Sequence, residues 1–61
     1  MLPNAERFFS VFANLPIEER KKTIVIINKD PITWDLARDH IDNETEKGAE
    51  ILDILIELEI I

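Results

Sequence analysis

Hydrophobic positions recur along this chain with different spacings, and each spacing predicts an element. From Asn4 to Asn14, Ala5, Phe8, Phe9, Val11 and Phe12, with Leu15 just beyond, fall on one side of a helical wheel. Glu6, Arg7, Ser10 and Asn14 fall on the other. Asn4 is the expected N-cap. Pro16 ends this helix because it forces Leu15 out of helical geometry. Pro16 to Lys22 then reads as a second helix of one or two turns. Its proline sits where a missing N–H costs nothing, Glu18 and Glu19 lie near the positive end of the dipole, and Arg20, Lys21 and Lys22 lie near the negative end.

The pattern changes at Thr23-Ile24-Val25-Ile26-Ile27, an unbroken β-branched run that predicts a strand. Its continuous apolar character predicts burial on both faces. Asn28-Lys29-Asp30-Pro31 reads as a turn. Ile32 is expected to pair back briefly as a hairpin, and the strand requires either this hairpin or a second chain to satisfy its backbone. Thr33 is the expected N-cap of a third helix, Trp34 to Ile41, in which Trp34, Ala37 and Ile41 face the core together.

The last helix, about Glu44 to Glu59, is the most informative segment. Asn43 with Glu46 three residues on has the spacing of a capping box. Glu46, Glu50, Asp53 and Glu57 cluster within about 60° of arc. The apolar residues from Ala49 to Ile61 sweep roughly 240° of the wheel, far more than the stripe of about 100° that a surface helix needs. Such a helix is either central to its domain or packed against a second molecule. Ile51, Ile54, Leu55, Leu58 and Ile61 are the expected interface residues. Gly48 allows a close approach by a neighbouring element.

These elements define the expected fold class: α+β, mostly helical, with three to four short helices and one small β-hairpin, residues 1–61 forming a single domain. Size sharpens the expectation of a partner. A chain of 61 residues buries only about 60% of its unfolded surface, so small domains usually rely on disulfides, metals or oligomerisation. There is no cysteine and only one histidine, which removes disulfides and disfavours a zinc site. Association or unusually good packing remains, and a homodimer is the expectation. Eleven isoleucines, a single glycine and the abundant glutamate give a composition of the hyperthermophile type. No basic leader precedes a long apolar run, so a cytoplasmic location without membrane contact is expected.

The net charge of −6 is unevenly distributed. Residues 1–29 carry five basic and three acidic side chains, and residues 30–61 carry two basic and ten acidic ones. An acidic chain is repelled by nucleic acid and anionic membranes, although its basic half still offers Lys21, Lys22 and Lys29 as anion contacts.

The candidate chemistry is sparse. Asp35 and Asp39, spaced i and i+4, together with His40, Asp42 and Glu44 form the only carboxylate–imidazole cluster. The simpler expectation for it is a solvated helix junction. Phosphate loops, nucleophile elbows and metalloprotease motifs are missing, and Ser10 has no base nearby in sequence. We therefore expect no enzyme and no cofactor.

The expected function is a small protein–protein interaction module whose partner is itself and, beyond that, another protein. A DNA-binding regulator is the alternative. A strand followed by two helices (Thr23–Ile27, Trp34–Ile41, Glu44–Glu59) is similar in element order to ribbon-helix-helix antitoxins and repressors, which implies an obligate dimer. A winged-helix arrangement, with the wing around Lys29, is the other form of this alternative. Against both, Ile24 to Ile27 give bases no polar groups to read, and the candidate recognition helix carries Asp35 and Asp39 beside Arg38.

Overall fold

A computed structural model describes all 61 residues, Met1–Ile61. The elements run α1 (Ala5–Ala13), α2 (Ile17–Arg20), β1 (Thr23–Ile27), β2 (Asp30–Thr33), α3 (Trp34–Asp42) and α4 (Glu46–Glu57). The fold is thus α+β and mostly helical, four helices around one antiparallel two-stranded hairpin. No helix is long and apolar enough to cross a membrane.

The entry to α1 corrects the role expected of Asn4. It occupies the N-cap position, but its side chain makes no cap bond and its backbone is left-handed at φ 68°. Pro3 and Asn4 form the centre of a turn in which the Ala5 N–H donates to the Leu2 carbonyl at 3.1 Å. Proline at the second position and a positive φ at the third define a type II turn, so asparagine is placed here for its tolerance of that φ. The helix then buries Ala5, Phe8 and Phe12. Phe8, fully enclosed, stacks on Trp34 of α3 with ring centroids 5.7 Å apart and lies 5.8 Å from both Phe9 and Phe12. Truncating such a ring typically costs 3–5 kcal/mol.

The hairpin departs from expectation in two respects. Its turn contains only Asn28 and Lys29, at φ 51° and 71°, the geometry of a type I′ connection. Asp30 and Pro31 belong to β2, where they pair with Ile27 and Ile26. Nor is β1 buried on both faces. Ile27 and Ile32 turn inward, whereas Ile26 is 70% exposed. The strand pairs only with β2 of its own chain, and one side of this two-stranded sheet faces water. Between Thr23 and Val25 the register slips by one residue, so Ile24 has no partner of its own and β1 is bulged there.

The α3–α4 junction replaces the expected capping box. Thr45, not Asn43, caps α4, its Oγ1 accepting from the Gly48 N–H at 2.9 Å. Asn43 ends α3 instead, donating from Nδ2 to the Asp39 carbonyl at 2.8 Å. The Thr45 N–H donates to the His40 carbonyl and the Glu44 N–H to the Ile41 carbonyl, each at 3.2 Å, with Glu44 left-handed at φ 56°. This is a Schellman motif. The same pair of bonds closes α4, from Ile60 to Leu55 and from Glu59 to Ile56, with Glu59 at φ 58°. On α3, Thr33 does cap the helix as expected, accepting from the Leu36 N–H at 3.1 Å.

Helix α4 is central to the core. Ile51, Leu52 and Leu55 are fully buried, alongside Phe8, Ile32 and Ile41 from three other elements. The broad apolar arc is covered within the chain only in part, since Ile54, Ile56, Ile60 and Ile61 are half-buried and Leu58 is exposed. Phe8 of α1, Ile32 of β2 and Trp34 and Ile41 of α3 share one core with Ile51, Leu52 and Leu55, and Gly48 brings α4 against the backbone of α3.

Candidate functional site

The five residues expected at an interface divide into two groups. Ile51 and Leu55 have no exposed surface, because they supply the core of the chain itself. Ile54 and Ile61 are half-buried, and Leu58 is 58% exposed. With about 100° per residue, Lys47, Ile54 and Leu58 share one flank of α4, and Lys47 is tied to the hairpin through Asp30 at 3.3 Å. The aliphatic surface left to a partner is therefore the C-terminal end of this flank. Ile17, at 69% exposure on α2, is a separate exposed aliphatic side chain.

The acidic stripe keeps its position. Glu46, Glu50, Asp53 and Glu57 are all exposed and none is ion-paired. Asp53 also borders a cleft of about 190 Å³ lined by Leu2, Pro3, Asn4, Ala49 and Leu52.

The cations expected to contact anions are not brought together. Lys22 is held by Glu19 at 2.8 Å, and Lys29 stands at the hairpin tip beyond the whole length of β1. With roughly 3.3 Å per residue, the strand alone separates the two ends by roughly 13 Å. Lys21 and Lys29 are exposed and unpaired.

The carboxylate–imidazole segment is absorbed into the junction just described. His40 Nδ1 lies 3.1 Å from Thr45 Oγ1, and Asp39 accepts from Asn43. No three His, Asp or Glu side chains stand close enough together to hold a metal ion.

Two features escaped the sequence reading. The first is Arg20, whose Nη2 donates to the Phe12 carbonyl at 3.2 Å while its guanidinium lies 4.2 Å from the Phe12 ring centroid. Arg38 approaches the same ring at 5.7 Å. The eight-residue offset across Pro16 follows no helical spacing, so only the turn between α1 and α2 brings Arg20 to Phe12. The second is the outer edge of β1. Alternation outward from the two-residue turn makes Ile26 and Pro31 a non-hydrogen-bonded pair, which accommodates the missing N–H of Pro31 and points the N–H and C=O of Ile26 away from β2. No hydrogen bond from outside the hairpin ladder reaches Thr23–Lys29. The Pro31 in the sequence was the available signal, but its meaning depended on the register.

No family model, curated protein or solved structure matches this chain. Its functional reading therefore rests on geometry.

Proposed function

We propose that the chain is a small protein–protein interaction module that forms a homodimer through the C-terminal flank of α4. The observation that supports this reading is Leu58, more than half exposed on the same flank as the half-buried Ile54, with the half-buried Ile61 close behind in the chain. An isologous contact sets such a patch against its own copy across a two-fold axis. Burying aliphatic surface there contributes about 25 cal/mol per Å² removed from water, a useful supplement for a domain of this size.

Sedimentation equilibrium at micromolar concentration tests the reading. The unsubstituted chain is expected to be a dimer and Leu58→Glu a folded monomer. A monomeric unsubstituted chain, or an undisturbed Leu58→Glu dimer, overturns this surface.

A further inference from the structure

We propose that the outer edge of β1 receives an extended segment of another protein, an aliphatic strand flanked by aspartate or glutamate. This goes beyond the dimer surface on α4 and uses a different part of the molecule.

The edge is open. The backbone groups of Ile26 that face away from β2 have no partner in the fold, and neither does any other outward group of Thr23–Ile27. Unpaired edges of this kind bind extended chains by adding a strand, with backbone bonds supplying affinity and alternate side chains supplying selectivity. The opposite edge of the hairpin is closed to the same mode, because Pro31 of β2 has no N–H to offer. Strand addition is therefore directed to β1, where the 70%-exposed Ile26 side chain gives a neighbouring strand an aliphatic contact.

Charge selects the occupant. The uncharged strand runs from Lys21 and Lys22 to Lys29, and the two that carry no ion pair, Lys21 and Lys29, stand one at each end. Lys21 closes α2 and Lys29 lies in the hairpin turn, so both cations flank the strand from outside it. A segment with carboxylates at its ends meets opposite charge at both. The unpaired basic flanks thus favour an acidic guest.

The test uses the full chain and two synthetic peptides, Glu-Glu-Val-Thr-Val-Thr-Val-Glu-Glu and the same peptide with lysine in place of every glutamate. Backbone amide shifts and dissociation constants are read by NMR titration at about 0.15 M salt, where the chain's net charge of −6 is screened beyond about 8 Å. The glutamate peptide is expected to shift the amides of Ile24 and Ile26 and to bind roughly ten-fold more tightly than the lysine peptide. That margin should shrink as salt rises. Ile26→Pro removes the outward N–H without touching a ladder bond and is expected to weaken binding by at least roughly ten-fold. Should that variant lose its hairpin, Lys21→Glu combined with Lys29→Glu decides instead, by reversing the preference between the peptides. Absence of shifts at Ile24 and Ile26 with either peptide, equal affinity for both, or a preference unchanged by charge reversal overturns the proposal. Self-association of the unsubstituted chain that protects the Ile26 amide would also overturn it, by making a second copy the occupant. Sedimentation of Leu58→Glu reports on the α4 surface separately, so the two proposals fail independently.

Discussion

Gly48 of α4 is seated directly on the peptide backbone at His40 of α3: a Cβ built there would collide with the His40 carbonyl oxygen and stand 2.7 Å from its carbonyl carbon. Backbone on both sides leaves no flexible side chain to move aside. That same carbonyl accepts the Thr45 N–H, so the oxygen is fixed by the Schellman motif that closes α3. Helix crossing and helix capping therefore meet at one oxygen atom.

Gly48→Ala is accordingly expected to destabilise the domain by about 2 kcal/mol or more, despite alanine's higher helix propensity. Urea denaturation of the two proteins measures it. A variant as stable as the parent would show that α3 and α4 do not approach this closely.

Left-handed residues predict the opposite sign. Glu59 and Lys29 hold positive φ with ordinary side chains, a conformation that costs roughly 1 kcal/mol for residues other than glycine and asparagine. Glu59→Gly, at the Schellman position of α4, and Lys29→Gly, which creates the favoured Asn-Gly type I′ turn, should each stabilise by about 0.5–1 kcal/mol. Thermal midpoints should rise for both. Glu59→Ala, which retains the strain, should show no such gain.

Arg20 is expected to resist replacement by lysine. Its planar fork both covers the Phe12 ring and donates to the Phe12 carbonyl, and an ammonium cannot reproduce both. Arg20→Lys should lose about 1 kcal/mol. An Arg20→Lys midpoint equal to that of the parent would reduce the contact to a surface decoration.

Leu55→Glu separates core from interface. Leu55 is completely enclosed, and a carboxylate there has neither water nor a partner. The variant should fail to fold at any protein concentration, as judged by near-ultraviolet circular dichroism. A folded monomer would instead place Leu55 on the dimer surface.

The amino-acid sequence by itself determined the kinds of element and most of their order. The period of Ala5, Phe8 and Phe12, the β-branched run at Thr23–Ile27 and the Thr33 cap act over a few residues, and local sterics decide them before any long-range contact forms. The composition likewise limited the chemistry available, with no cysteine and one histidine. Tertiary structure decided which apolar surface remains outside. The wheel of α4 placed Ile51, Ile54, Leu55, Leu58 and Ile61 together as one face, but it could not reveal that the core shared with Phe8, Ile32 and Ile41 would enclose the first and third and leave Leu58 in water. The same holds for β1. Continuous isoleucine and valine read as burial on both faces, whereas register against Pro31 turned Ile26 outward and left its backbone unpaired. The reason is physical: propensity and periodicity are properties of one segment, while burial and edge exposure depend on what a distant segment brings to it.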